Sequence, residues 1–242
     1  EYPLKACITG RVGAYLISDP ALSADAMLDC AATASDSIKG KFAAWLAVYD
    51  DSMNEKRLRE KSVSDRMEAA LSGGQFEVYL QPQFHHATGQ IVGAEALARW
   101  IDPERGVVSP AEFIPVFEKN GFITRLDAYV WDKAAQYLKR WIALGRAPVP
   151  LSVNVSREDL ADPALLDKLL HIVHKYDVPI YLFRLEITES LFAEDTRRLS
   201  AVVKRLQGAG FVVEMDDFGS GYSSLNILKD VPVDVLKLDM KF

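Results

Sequence analysis

The sequence has few cysteines, no long apolar runs and no excess of positive charge, and each shortage excludes a class of protein. Two cysteines, Cys7 and Cys30, occur among 242 residues. They are too few for a disulfide framework, so we expect a reducing, cytoplasmic setting. The longest apolar stretches, such as residues 43–49, are far shorter than the roughly 20 residues of a membrane-spanning helix. We therefore expect no signal peptide and no direct membrane contact. A formal net charge of −6 argues against a DNA-binding protein, which needs a basic surface.

What the sequence does contain is a globular composition with alternating strand and helix patterns. Hydrophobic residues make up 49% and charged residues 26%, close to the soluble average. Strands are predicted at 76–84, 91–100, 151–155, 181–188, 211–216 and 233–239, with helices between most of them. This order is typical of parallel β/α units. A closed barrel takes about 250 residues, so we predict an α/β fold of the TIM-type (β/α)8 barrel, visible as an incomplete barrel without its last strands, unless the sheet is open.

Helices are predicted from their spacing and their end signals. Ser109 and Glu112 form a capping-box pattern with Pro at the first helical position, and Gly121 is the predicted stop. Further helices are predicted at 124–144, 157–176, 195–209 and 223–228.

The sequence before residue 75 has a different organisation. Residues 1–51 are a small mixed segment, with a β-rich stretch at 6–17, a helix at 23–39 capped by Ser23 and stopped by Gly40, and a buried strand at 42–49. The core of this segment is thin, so it is interpreted as the end of a domain. Residues 52–74 are predicted to be a linker helix with its glycine stop; Val63, Met67, Ala70 and Leu71 fall on one face. The barrel domain is predicted over 75–242.

Polar side chains interrupt or end five of the predicted strands. They are Glu95, Asn154, Glu186 with Glu189, Asp216 with Asp217, and Lys237 with Asp239. Chemistry in parallel β/α proteins lies at the carboxyl ends of strands, and ionised carboxylates are costly inside strands unless they are paired or bind metal. Oxygen ligands from several strands suit Mg²⁺ or Mn²⁺ rather than zinc.

The adjacent acids Asp216 and Asp217 need a bend in the chain. Neighbouring strand residues point to opposite faces, so both reach one site only if the strand ends there, and residues 218–221 supply such a bend. The pair could then bridge two metals about 3.5–4 Å apart, as in two-metal phosphodiester hydrolysis. Lys237 could steady the attacking oxygen or the charge that develops on the phosphate.

Each of these residues also has a structural explanation when it is taken alone. Asn154 could bond to neighbouring backbone, Glu186 and Glu189 could lie in a solvated loop, the two aspartates could cap a turn, and Lys237 could pair with Asp239. The functional interpretation rests on repetition, because polar or charged residues interrupt or end one predicted apolar strand after another along the chain.

The order of the motifs resembles a known family. The motifs are Tyr-Leu-Gln-Pro at 79–82, Glu-Ala-Leu-Ala-Arg-Trp at 95–100, Val-Ser-Pro-Ala-Glu-Phe-Ile-Pro at 108–115, Ser-Val-Asn-Val-Ser at 152–156, Leu-Glu-Ile-Thr-Glu-Ser at 185–190, Asp-Asp-Phe-Gly-Ser-Gly-Tyr-Ser-Ser-Leu at 216–225 and Lys-Leu-Asp at 237–239. From about residue 76 to 242 the chain is similar to the EAL domain family of cyclic-di-GMP phosphodiesterases. Residues 1–51 resemble, more weakly, the closing part of a GGDEF diguanylate cyclase domain.

The resemblance implies a reaction and a role for each matching residue. One phosphodiester of cyclic di-GMP would be opened to linear pGpG with Mg²⁺ or Mn²⁺ at a two-metal site. The implied metal ligands are Glu95, Asn154, Glu186 and Asp216, with Asp217 on the second metal. Lys237 would lie near the attacking water, and Glu189 would hold the Asp-Asp-Phe-Gly loop. Gln81, Arg99 and Asp239 are the implied substrate-binding residues.

Three hypotheses follow for the function. The first is a metal-dependent phosphodiesterase, the second a non-catalytic receptor for cyclic di-GMP, and the third a scaffold for assembly that binds no nucleotide. A homodimer is left open by all three. The family also has a glutamate and a glutamine on later strands that this sequence does not include, and we expect no cyclase activity from residues 1–51.

Overall fold

The computed structural model describes residues 10–18, 20–39, 44–194, 196–219 and 231–240, with the backbone alone at 193 and 194. The chain divides into two compact units, residues 1–66 and 67–242. The division falls inside one helix, so the boundaries predicted from the sequence stay predictions.

The first unit has a two-stranded parallel sheet and a helix packed on it. Strand β1 (Val12–Ala14) pairs with β2 (Leu46–Val48), and helix α1 (Ala24–Ser37) packs against them. The side chain of Ser23 accepts a hydrogen bond from the Ala26 backbone N–H, which confirms the predicted cap. Its core is small, formed by Ala34, Ile38 and Ala47. The predicted stop at Gly40 lies outside the described residues.

Helix α2 (Asp51–Ser72) confirms the helix predicted in this region, and its role as a linker stays a prediction. Val63 and Ala70 are buried, while Met67 and Leu71 are partly buried, so the predicted apolar face is confirmed. Gly74 follows with a φ of 70°, a left-handed conformation that glycine adopts without strain. In the part of the chain that the structure describes, no helix combines the length and apolarity needed to cross a bilayer.

The second unit is a mixed sheet with its helices packed on one face. Its elements, in order, are β3 (Phe76–Phe84), β4 (Ile91–Asp102), β5 (Gly106–Val108), α3 (Pro110–Asn120), α4 (Ile123–Ala143), β6 (Leu151–Asn154), α5 (Arg157–Ala161), α6 (Leu165–Lys175), β7 (Phe183–Thr188), α7 (Glu189–Glu194), α8 (Thr196–Gly208), β8 (Val213–Phe218) and β9 (Val235–Leu238).

The strands follow one another across the sheet in chain order. The order is β3-β4-β6-β7-β8-β9, with β5 added on β4. Strands β4 and β6 to β9 are parallel, whereas β3 and β5 run antiparallel to β4. The parallel β/α units expected from the sequence therefore begin at β4, and the fold is that of a (β/α)8-type barrel.

Alternation along the short strands separates an apolar face from a polar face. In β6, for example, Leu151 and Val153 are fully buried in the core that includes residues of α4 and α6. Ser152 and Asn154 point the other way, because successive strand residues face opposite sides. The same alternation places Arg184, Glu186 and Thr188 of β7 together with Glu214 and Asp216 of β8 on the polar face.

Two helix predictions need correction. Ser109 is the residue before α3, but its side chain makes no capping hydrogen bond. Glu112 instead pairs with Arg105, at 2.7 Å, which removes the partner that a capping box requires. The helix predicted over 157–176 is two helices, α5 and α6, since the chain turns at residues 162–164 around Pro163.

The strand predictions differ mainly at their ends. Residues 180–182 form a turn of 3₁₀ helix, so β7 begins later than predicted. The sequence did not predict α7, which follows β7 directly. The short helix predicted at 223–228 lies outside the described residues.

An aromatic cluster under β3 and β4 gives a test of the core. Phe76, Trp100, Phe113 and Phe117 contact one another with ring centroids 5.3–6.2 Å apart, and Phe117 is fully buried. Phe117→Ala should lower the free energy of unfolding by about 3–5 kcal/mol, because it removes a buried ring and leaves a cavity.

Urea denaturation measures this change, with Val107→Ala as the control. Val107 is 67% exposed, so its truncation should stay within about 0.5 kcal/mol of the parent. Equal losses for the two variants would contradict this description of the core.

Candidate active site

Three carboxylates from three strands meet on the polar face of the sheet. One oxygen each of Glu95 on β4, Glu186 on β7 and Asp216 on β8 lies within 4.8 Å of the others. The register explains the meeting: Asn154 lies opposite Glu186, and Thr188 opposite Asp216, so these side chains share one face. The prediction that these three acids come together from separate strands agrees with the geometry.

The Lys237 ammonium lies among these three carboxylates. Its Nζ is 2.9 Å from Glu95 Oε2, 2.9 Å from Glu186 Oε1 and 3.2 Å from Asp216 Oδ1. The Glu186 side chain is 0% exposed, while the other three are 17–24% exposed. A single positive charge therefore faces three acids in a partly dry environment, where electrostatic interactions are strong.

The pKa values of Glu186 and Lys237 show that the negative charges of the site outweigh its positive charge. Burial, and then the charge of Glu95, raise the pKa of Glu186 to about 9, although the charge and hydrogen bond of Lys237 act against this rise. Partial burial lowers the pKa of Lys237, but the charges and hydrogen bonds of Glu186 and Glu95 outweigh it and leave this pKa above its usual value. The ammonium therefore stays protonated, and the acids still carry more negative charge than it offsets.

The donor set fits a hard divalent cation. Glu186 Oε2 is buried and has no hydrogen-bond partner among the described residues, which is unfavourable for a carboxylate unless a cation reaches it. Asn154 Nδ2 donates to Glu95 Oε1 at 3.4 Å, so the amide also lies at the cluster. Carboxylate and amide oxygens are the ligands of Mg²⁺ and Mn²⁺.

Asp217 stands apart from the group of three. Strand β8 shifts register against β9 between Met215 and Phe218, and Asp217 has a φ of 56°. The irregularity therefore begins at Asp217, one residue before the predicted bend at 218–221, of which Gly219 has a φ of 95° and residues 220 and 221 lie outside the described residues. The Asp217 side chain is exposed. Although most of this side chain is exposed, partial loss of solvent around the carboxyl raises its pKa, and the charges of Asp216 and Asp239 raise it further.

Glu189 ties the end of β7 to the segment after β8. Glu189 is 3% exposed, and its Oε2 accepts a hydrogen bond from the Gly219 backbone N–H at 2.9 Å. Because Gly219 closely follows Asp216 and Asp217, this bond fixes the position of that segment.

Of the residues predicted to bind substrate, Gln81 and Asp239 are close neighbours of cluster residues in the sheet, whereas Arg99 is four residues beyond Glu95 on β4. Gln81 on β3 is opposite Glu95 in the register and exposed. Arg99 donates Nη1 to the Ala98 carbonyl, and its guanidinium lies 5.9 Å from the Tyr79 ring centre. Asp239 follows β9 and is half-buried. A cavity of about 480 Å³ lies between the ends of β4, β6 and β7 and helices α3 and α4. Arg99, Asn154 and Thr188 line it, whereas Glu95, Glu186, Asp216 and Lys237 do not.

Sequence reasoning missed a second polar group on the same face. Ser152 and Arg184 each donate a hydrogen bond to Glu214, and Ser152 and Glu214 are each 1% exposed. The sequence did contain a signal for this group. Ser152, Arg184 and Glu214 each stand two residues before a predicted site residue. Alternation along a strand places residues i and i+2 on one face.

The chain matches the EAL domain family over residues 64–242. It belongs to this family. Among its relatives, a cyclic di-GMP phosphodiesterase of Pseudomonas aeruginosa is 31% identical over 242 residues, which is 99% of this chain and 40% of the relative. The bifunctional diguanylate cyclase/cyclic di-GMP phosphodiesterase MucR of the same organism is 31% identical over 194 residues, 80% of this chain and 28% of the relative. The chain thus spans less than half the length of these relatives.

Solved structures of EAL proteins share the fold. The PaMucR phosphodiesterase in complex with c-di-GMP has a TM-score of 0.70 and 31% identity, covering 74% of this chain and 72% of that one. The EAL domain of Mycobacterium smegmatis DcpA has a TM-score of 0.53 and 29% identity, covering 69% and 65% of the two chains.

The role of Lys237 in this EAL domain can be tested through stability. With EDTA present, Lys237→Met should lower the free energy of unfolding by about 3–5 kcal/mol, because it leaves buried carboxylates without their cation. Added Mn²⁺ should restore most of the loss, since a cation at the carboxylates replaces the missing charge.

Thermal unfolding with and without Mn²⁺ measures both effects. Lys175→Met is the matched control, because Lys175 pairs with Asp132 in an exposed position between α4 and α6. Its unfolding temperature should hardly change. A Lys237→Met protein as stable in EDTA as the parent would show that the ammonium does not stabilise the cluster.

Proposed function

We propose that this EAL domain hydrolyses one phosphodiester of cyclic di-GMP to linear pGpG with the help of Mg²⁺ or Mn²⁺. The observation that carries the proposal is the meeting of Glu95, Glu186 and Asp216 around Lys237 at one end of the parallel strands. The names of the relatives and the complex of a similar EAL structure with c-di-GMP support the choice of substrate.

The assignment of the metal ligands belongs to the same proposal. Glu95, Asn154, Glu186 and Asp216 would hold one cation, and Asp217 would turn to a second one beside Asp216. Such cations supply positive charge to the phosphate and make a water molecule a better nucleophile. Cyclic di-GMP carries two phosphodiester charges, so three carboxylates with one ammonium would repel it otherwise. A strict need for a divalent cation is therefore a physical expectation.

The chain's own residues orient the reaction. The Lys237 ammonium, held by three carboxylates, donates hydrogen bonds at the place where a water molecule would attack phosphorus, and it offsets the charge that develops on the phosphate oxygens. The new bond joins the water oxygen to phosphorus. One ester oxygen leaves as a ribose hydroxyl after it takes up a proton. Glu189, through its bond to Gly219, keeps Asp216 and Asp217 in position for this step.

Substrate binding is assigned to residues around the carboxylates. Arg99, at the cavity wall, would pair with a phosphodiester. Gln81, opposite Glu95 in the register, would hydrogen-bond the dinucleotide from the edge of β3. Asp239 would complete this side from the end of β9.

The first unit is proposed to be the end of a GGDEF domain. Its small sheet and single helix, joined through α2, agree with the weak resemblance of residues 1–51. The boundaries 1–51, 52–74 and 75–242, and a homodimer, belong to the same proposal. Localisation in the cytoplasm would follow from the substrate.

Hydrolysis of cyclic di-GMP tests the proposed function. The longest natural chain that contains these residues should release pGpG with Mg²⁺ or Mn²⁺, and excess EDTA should stop the reaction. Glu95→Ala should abolish turnover and leave the circular dichroism spectrum unchanged. Asp167→Ala, which removes an exposed carboxylate on α6, should react like the parent.

The other outcomes point to the other hypotheses. Saturable binding without turnover would refute the hydrolase and favour a receptor. A chain that binds no cyclic di-GMP at all would favour a scaffold. Full activity in Glu95→Ala would refute the assignment of the metal ligands.

A further inference from the structure

A polar layer lies directly beneath the carboxylate cluster, and nothing in the proposed reaction uses it. Its members are Ser152 on β6, Arg184 on β7 and Glu214 on β8, which are called the lower polar layer here. Each precedes by two residues a proposed metal ligand: Asn154, Glu186 and Asp216, respectively. Because residues i and i+2 of a strand share a face, each member lies on the same face as the ligand that follows it on its own strand.

Both oxygens of Glu214 are engaged within the layer. Its Oε1 accepts a hydrogen bond from Arg184 Nη1 at 3.0 Å, and its Oε2 accepts one from Ser152 Oγ at 2.9 Å. The Glu214 side chain is 1% exposed, against 25% for Arg184. Two bonds from two different strands therefore fix the orientation of this carboxylate.

Glu214 lies beside the most buried acid of the cluster. It is opposite Glu186 in the register of β7 and β8. Neighbouring strands lie about 4.8 Å apart, so the Glu214 and Glu186 side chains lie side by side on one face of the sheet, although no hydrogen bond of ordinary geometry joins the two carboxyls. A change in the position or charge of Glu214 would therefore alter the surroundings of Glu186 before those of the other acids.

Stability alone does not account for this layer. Barrel interiors are usually filled with branched apolar side chains, and replacing a buried ion pair with apolar residues of similar volume is often neutral or stabilising. The ion pair is therefore better explained by its place under the ligands. Partners behind the ligands of a metal fix their orientation, and their loss weakens metal binding.

We propose that Glu214, held by Arg184 and Ser152, is a positioning residue that keeps Glu186 in the orientation in which it binds the divalent cation. The positive charge of Arg184 offsets the negative charge of Glu214, so that the lower polar layer is neutral. This inference rests on the proposed function.

Binding of Mn²⁺ tests the inference apart from turnover. In the full-length protein, Glu214→Gln and Arg184→Met should each raise the Kd for Mn²⁺, measured by calorimetry, about 10- to 100-fold. The kcat for cyclic di-GMP should fall in parallel with little change in KM, because the layer does not touch the substrate. Arg184→Lys, which keeps the charge, should recover most of the affinity.

A double variant separates positioning from folding. Arg184→Met alone leaves a buried charge and could unfold the protein, whereas Arg184→Met combined with Glu214→Gln leaves none. The double variant should fold and still bind Mn²⁺ weakly. Lys175→Met, remote from the site, should bind Mn²⁺ like the parent.

The failures are distinguishable. A parent protein that neither binds Mn²⁺ nor hydrolyses cyclic di-GMP would refute the proposed function and with it this inference. A parent that does both, and a folded double variant with the parent's Kd for Mn²⁺, would overturn the positioning role alone.

Discussion

The attraction between one ammonium and three carboxylates is the interaction on which the site depends. Lys237 and its partners come from four different strands, so they meet only when the parallel sheet has formed in register. Removing these charges from water is costly unless each has a partner. The arrangement is therefore sensitive to register, and it leaves an excess of negative charge that a divalent cation can offset.

The fold was largely predictable from alternation along the sequence. Apolar residues on one side of β6, β7 and β8 and polar residues on the other follow from the two-residue period. The exceptions have local causes. Pro163 divides a predicted helix, and Glu112 bonds to Arg105 instead of capping α3. The reversed direction of β3 depends on pairing with β4, which periodicity alone does not specify.

The site was predictable only in part. Glu95, Glu186 and Asp216 were singled out because charged residues rarely interrupt apolar strands. The pair of Arg184 with Glu214 was missed, since charges near the start of a strand look solvated until the neighbouring strands are in place. The register shift at Asp217 was also hidden, because it arises from the pairing of β8 with β9. Long-range pairing, and not composition, determines these features.

The most direct test of the account is the position of a bound cation. Crystals of the protein grown with Mn²⁺ can be measured at the manganese absorption edge, where anomalous scattering locates the ion. The account predicts a peak within coordination distance of Glu95, Glu186 and Asp216, with the Lys237 ammonium beside it. A protein saturated with Mn²⁺ whose peak lies away from these three carboxylates would contradict it.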